Sequence, residues 1–110
     1  MEYTSIKKSI SGWGNYPIIE SKVLPIHSAQ NILLKKRENL IARGLGRSYG
    51  DSAISELIVD ILPLDRFLSF DNDYGEIHCQ AGVSLAEILS IIVPKGWFLP
   101  VTPGTKFITV

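Results

Sequence analysis

Three glycines give the first chemical signal in this chain of 110 residues. Gly44, Gly46 and Gly50 stand in the run Arg43-Gly44-Leu45-Gly46-Arg47-Ser48-Tyr49-Gly50-Asp51. Glycine permits positive φ and places no side chain between main-chain N–H groups and an approaching anion. Successive N–H groups in such a turn form a concave nest for phosphate oxygens. Ser48 adds a hydroxyl donor, and Arg47 adds either a full positive charge or a stem that packs along the ligand. Two known phosphate loops are excluded. A Walker loop requires Lys followed by Ser or Thr after its last glycine, and here Gly50 is followed by Asp51 and Ser52. A dinucleotide fingerprint requires its third glycine one place earlier, where Tyr49 stands, and must open a helix. The residues after Gly50 read as a loop and a strand, so the loop's own amides, not a helix dipole, would hold the phosphate. A glycine-rich connection that only turns a corner has the same spacing, and on spacing alone both readings stay open.

The elements that must position this loop follow from patterning. Residues 1–20 read as an irregular lead-in with two aromatic anchors, Trp13 and Tyr16. Residues 21–110 read as one further unit. Lys22 to Ile26 predicts a short strand, restricted by Pro25 to an edge or an end. Ser28 is placed to cap a helix reaching to about Arg37, with Ala29, Ile32 and Leu33 on one face. Leu40 to Arg43 predicts a strand running straight into the glycine loop. Leu57 to Ile61 predicts a second strand, apolar enough to be buried on both faces. Phe67 to Phe70 and Glu76 to Ala81 predict two more around a turn at residues 71–75, with Ile77, Cys79 and Ala81 on one face. Ser84-Leu85-Ala86-Glu87 is a capping box that opens a helix with Leu85, Ile88, Leu89 and Ile92 as its apolar stripe. Pro94-Lys95-Gly96 ends that helix, and Trp97 to Val101 reads as extended. Strands interleaved with helices predict an α/β (α+β) layer structure, a small sheet flanked by helices.

Bulk properties narrow the function classes. Apolar content of 45% and charged content of 20% suit a folded globular domain. Eleven basic and eleven acidic side chains balance, so no general nucleic-acid or polybasic membrane surface is expected. Cys79 is the only cysteine, which excludes an internal disulfide framework and a cysteine-rich metal site. The first residues lack the features of a signal peptide, and no apolar run is long enough to span a bilayer. A soluble cytoplasmic protein is the expectation. The sequence stops within an apolar stretch at Thr109-Val110, which suggests part of a longer protein.

Several of these segments carry a likeness. Arg43 to Asp51, followed by Leu57-Ile58-Val59-Asp60, resembles the first flavin-binding segment of the vanillyl-alcohol oxidase / p-cresol methylhydroxylase (PCMH-type) superfamily. Gln80-Ala81-Gly82-Val83-Ser84-Leu85 is similar to its strand-to-helix step. Residues 103–110, Pro-Gly-Thr-Lys-Phe-Ile-Thr-Val, look like the start of its second flavin-binding segment. Within the superfamily the likeness is nearest to the decaprenylphosphoryl-β-D-ribose oxidase branch, near the sugar-lactone oxidases; that branch shares the Ser11-Gly12-Trp13-Gly14 lead-in.

The resemblance implies the N-terminal portion of an α/β FAD-binding domain, with a substrate domain elsewhere in the intact protein. It implies that Gly44, Leu45, Gly46, Arg47, Ser48, Tyr49 and Gly50 surround the FAD pyrophosphate. Pro103, Gly104, Thr105 and Thr109 would line the cofactor's other side. Many relatives carry, where Arg47 stands, a histidine bonded covalently to the flavin. Arginine cannot be that nucleophile, so non-covalent FAD is expected. The implied reaction is oxidation of a secondary alcohol on a sugar, sugar-lipid or sugar lactone by hydride transfer to flavin, with catalytic residues beyond residue 110. A non-redox nucleotide- or phosphate-binding module, and a structural domain without ligand, are the competing readings.

The remaining candidates are weaker. His27 and His78 read as surface or edge residues, with no partners for a metal. Cys79 reads as a small core residue. Trp13 and Trp97 read as core or lead-in packing in preference to a substrate border. Asp51 is either bonded to loop amides or a solvated turn acid. Tyr49, fixed between two glycines, is expected to shield one side of the bound phosphates.

Overall fold

The computed structural model describes residues 6–28 and 39–110. Strand β1 (Ile6–Ser11) runs antiparallel to β2 (Ile18–Pro25), pairing Ile10 with Ile19 and Ile6 with Val23. Part of the lead-in is therefore regular: β1 occupies Ile6–Ser11 and β2 begins at Ile18, while residues 12–17 form the irregular turn between them. Lys7, Lys8 and Ser9 hide β1 in the sequence, because an exposed edge strand needs few apolar residues. The turn between the two strands holds Asn15 at φ 60° and a cis Tyr16–Pro17 peptide.

Strands β3 (Ile41–Arg43) and β4 (Leu57–Asp60) complete a four-stranded sheet in the order β1-β2-β4-β3. β2, β4 and β3 are mutually parallel, with Val23 and Ile41 both opposite Ile58. Pro25 falls at the end of β2, where its missing N–H costs no ladder bond.

This sheet is buried on both faces, as the apolar run in β4 predicts. Leu24, Ile26, Val59 and Leu64 pack on one side; Ile10, Val23 and Ile58 pack on the other. Ser21, only 1% exposed, is satisfied by donating its hydroxyl to the Ser55 carbonyl at 2.5 Å. The helix expected from Ser28 to about Arg37 lies outside the described residues.

A second sheet pairs β5 (Phe67–Asp71) with β6 (Glu76–Cys79) antiparallel. Asp71 shapes their turn by accepting from the amides of Asp73 and Tyr74 at 2.9 and 3.1 Å. Helix α1 (Leu85–Ile92) lies against this pair. Val83, Ile88 and Ile92 are buried, and Phe67, Phe70, Ile77, Cys79, Leu85 and Leu89 pack around them.

Ala81 does not share that face. It is exposed, because β6 ends at Cys79 and the chain turns through Gly82. Residues 97–101 form no strand; Trp97 instead packs on this cluster and donates its indole N–H to Asn72 at 3.0 Å.

The start of α1 is closed in two ways. Ser84 accepts from the Glu87 amide at 3.1 Å while Glu87 accepts from the Ser84 amide at 3.1 Å, completing the capping box. The amides of Leu85 and Ala86 donate to the carbonyls of Ile108 and Lys106, each at 2.9 Å. The helix start is thus occupied by the chain's own second loop and offers no room for an anion.

Ser84→Ala is expected to destabilise the whole protein by about 1 kcal/mol, the usual cost of losing a helix cap. A lowered urea midpoint with unchanged slope would show it; an unmoved midpoint would contradict this account of α1.

Candidate functional site

The glycine loop leaves the C-terminal end of β3, in a sheet whose inner strands are parallel. Ligands of open α/β sheets gather at such strand ends, where the loops have free main-chain groups. Gly46 and Gly50 take φ of 71° and 57°, conformations that side-chain-bearing residues rarely adopt. Among the described residues, the amides of Gly44 to Ser48 donate no main-chain hydrogen bond. Such donors need a partner from outside the loop.

The structure brings both expected segments together. A cleft of about 280 Å³ is lined by Gly44, Leu45, Gly46, Arg47 and Ser48 on one side and by Ile108 and Thr109 on the other. A larger one, about 610 Å³, sets Arg47 and Tyr49 opposite Pro103, Gly104, Thr105 and Phe107, with Trp13 at its border.

The join lies at Gly44. A Cβ placed there would run into the Thr109 hydroxyl and come within 2.9 Å of its methyl carbon. Thr109 is pinned in turn: it bridges to Ser84, and its neighbours Ile108 and Val110 bond to Leu85 and Val83 at 2.9 and 3.0 Å. The cap of α1 therefore fixes the second wall of the cleft against the first. Gly50 lines neither cleft; its carbonyl faces Gly12.

Arg43, which was not among the candidates from the sequence, also borders the glycine loop. Its guanidinium lies against Gly46, with Cζ 2.7 Å from where a Cβ would sit. One guanidinium nitrogen, Nη1, is buried without a hydrogen-bond partner. A buried charged donor without an acceptor is costly, and an anion beside the loop would relieve that cost. The signal was available: a basic residue directly before the first glycine of a glycine-rich loop. A glycine-lined cleft, free amides, the Ser48 hydroxyl and an orphaned guanidinium nitrogen together suit a pyrophosphate.

Other candidates are placed more plainly. Trp13 is 58% exposed and stands on the glycine loop, its ring 5.7 Å from that of Tyr49 and inclined at 72°, so it is not a core residue. Tyr49 is itself 75% exposed. Asp51 is exposed, and its carbonyl accepts from the Ile54 amide at 3.2 Å. His27 and His78 are exposed. Among the described residues no three metal-ligating side chains converge, and no helix is long and apolar enough to cross a membrane.

Cys79 is half-buried in the α1 cluster, and desolvation there pushes its thiol up. The native state thus favours the protonated thiol. This contribution to stability is present below the unfolded chain's thiol pKa and is lost as pH rises through the native one. Alkylation mapped to the Cys79 peptide is expected to be slow in native whole protein at about pH 8 and fast in urea. Equal rates in both would refute its burial.

Comparison with known proteins gives the class of this fold. The chain belongs to the FAD binding domain family, whose model matches residues 26–110. It is 34% identical to decaprenylphosphoryl-beta-D-ribose oxidase of Mycolicibacterium smegmatis across 99% of this chain and 26% of that protein. A probable mitochondrial D-2-hydroxyglutarate dehydrogenase of Oryza sativa subsp. indica is 33% identical over 46% of this chain and 9% of its own length. The chain thus spans about a quarter of the first of these relatives and less than a tenth of the second. Among solved structures, a mutant cholesterol oxidase from Brevibacterium sterolicum superposes with TM-score 0.83 at 11% identity, covering 98% of this chain and 23% of that one. A second cholesterol oxidase structure from B. sterolicum gives 0.81 at 11% identity, covering 97% and 23%. At such identity these two structures speak for the fold alone.

Proposed function

We propose that this chain holds the pyrophosphate of a dissociable FAD between residues 44–49 and residues 103–109, as part of a longer oxidoreductase acting on a sugar-type secondary alcohol. The observation that carries this reading is the join at Gly44 and Thr109, which sets the two loops against each other across a cleft of free amides. In it the loop amides and Ser48 receive phosphate oxygens, Arg43 supplies positive charge, and Tyr49 shields one side from water. Pro103, Gly104 and Thr105 form the opposite wall. When bound, the flavin supplies the hydride-accepting centre, and the protein's share is binding, orientation and exclusion of competing reactions.

Non-covalent attachment rests on Arg47, which lines the cleft where the resembling superfamily often has its flavin-bonded histidine. A guanidinium stays protonated and is no nucleophile. The sugar or lipid-linked sugar substrate is supported by the name of the Mycolicibacterium relative. A soluble, cytoplasmic setting completes the proposal, in keeping with the balanced charge and single cysteine.

The test is the visible spectrum of the whole protein before and after acid precipitation, then anaerobic addition of candidate sugar alcohols. Flavin absorbance that moves to the supernatant, and that bleaches with a sugar alcohol, is the expected result. Flavin kept in the pellet would refute the argument from Arg47. A colourless protein would refute the FAD reading.

A further inference from the structure

We infer that the lead-in from Ser11 to Asn15 is a positioning segment of this cleft, in which Trp13 sets FAD affinity by holding the Ser48–Tyr49 peptide in one orientation; this rests on the reading of the cleft as the FAD site. Three contacts join the lead-in to the loop. The Trp13 amide donates to the Ser48 carbonyl at 2.9 Å. Gly12 lies so close that a Cβ would strike the Ser48 carbonyl oxygen and reach within 2.9 Å of that of Gly50. The Trp13 and Tyr49 rings meet edge to face at 5.7 Å. The lead-in is braced within itself as well, the Asn15 amide donating to the Gly12 carbonyl at 3.2 Å.

These contacts have a directional consequence. In a trans peptide the C=O and N–H point in opposite directions. Drawing the Ser48 carbonyl toward Trp13 therefore turns the Tyr49 N–H away from the lead-in. A loop with glycines on both sides of this peptide has many conformations to lose when it binds, and a brace applied beforehand lowers that cost. Trp13 also stands at the border of two clefts. One is the cleft it shares with Arg47, Tyr49 and Pro103; the other, of about 460 Å³, it shares with Arg43, Gly46 and Arg47. Both rings are more than half exposed, and neither belongs to a buried cluster. Trp13 therefore contributes little to the core, which separates a positioning role from a structural one.

An edge-to-face aromatic pair is worth about 0.5–1.5 kcal/mol, so its loss is expected to weaken FAD by up to about tenfold. The experiment titrates the apo form of the whole protein with FAD, comparing wild type, Trp13→Ala and Trp13→Phe, and records each apo thermal midpoint. The expected result is an FAD Kd raised about tenfold in Trp13→Ala, restored to within about threefold in Trp13→Phe, with all apo midpoints within about a degree. Wild-type affinity in Trp13→Ala would overturn the inference alone. So would an affinity loss accompanied by a lower apo midpoint and not restored by phenylalanine, which would make Trp13 merely structural. A wild type that binds no FAD would overturn both the inference and the reading beneath it.

Discussion

Gly44→Val is expected to weaken FAD binding by the whole protein at least a hundredfold, a change of about 2.7 kcal/mol. Gly44 does not have the positive φ of Gly46 and Gly50, so valine meets no backbone strain, and the effect is purely one of space. The added Cβ meets the Thr109 side chain, whose own Cβ is 3.2 Å away. Thr109 cannot withdraw without breaking its bridge to Ser84 and the bonds from Ile108 and Val110 that close the start of α1. The collision must therefore spread the two loops that form the cleft. A double-mutant cycle separates this cause from others. Gly44→Ala and Thr109→Gly should each lower the apo thermal midpoint, and the double variant should lose less than the sum. Additive losses would show that the two residues do not collide.

Ile58→Ala is expected to be the most destabilising simple truncation in the sheet, at about 2–5 kcal/mol. Ile58 is fully buried and packs with Ile10 and Val23, flanked by Ile41 and Ile54. Its strand is bonded on both sides, opposite Val23 of β2 and Ile41 of β3, so the sheet cannot readily close around the lost volume. Domains have only about 5–15 kcal/mol of stability, so such a loss should cut soluble yield as well as the urea midpoint. Leu68→Ala is the control: 53% exposed on β5, it should cost within about 0.5 kcal/mol. Equal effects from the two changes would contradict the assignment of the core. β4 also carries β3, and β3 delivers the glycine loop, so FAD retention is expected to fall along with stability.

What could be read in the sequence was local. The capping box at Ser84 and Glu87 needs only residues three apart, and both of its bonds are present. The almost continuous apolar run of β4 announced burial on both faces, because burial is written in the residues themselves. The glycine loop was legible in the same way as a turn needing positive φ, which Gly46 and Gly50 adopt.

The parts missed depend on partners distant in the chain. β1 is polar and becomes a strand only because β2 offers it an edge. Ala81 continues an alternation that the chain abandons at Gly82, where Gly82 donates its amide to the Leu64 carbonyl at 2.7 Å. Trp13 read as core or lead-in packing, and only the core half fails; that it stands on Tyr49 depends on a turn between β1 and β2 that no periodicity encodes. The orphaned nitrogen of Arg43 appears only once Gly46 folds back beside it. Likewise, the docking of residues 106–110 on the start of α1, which aligns the two walls of the cleft, has no sequence signature of its own.

The central claim is that the glycine loop and its facing wall bind FAD through its pyrophosphate. Titration of the apo whole protein with FAD and with riboflavin, which has the same ring system but no phosphate, tests it most directly. FAD is expected to bind at least about a hundredfold more tightly than riboflavin, and Gly44→Val to remove most of that advantage while leaving riboflavin binding nearly unchanged. Riboflavin binding within about threefold of FAD, or an FAD advantage that survives Gly44→Val intact, would contradict it.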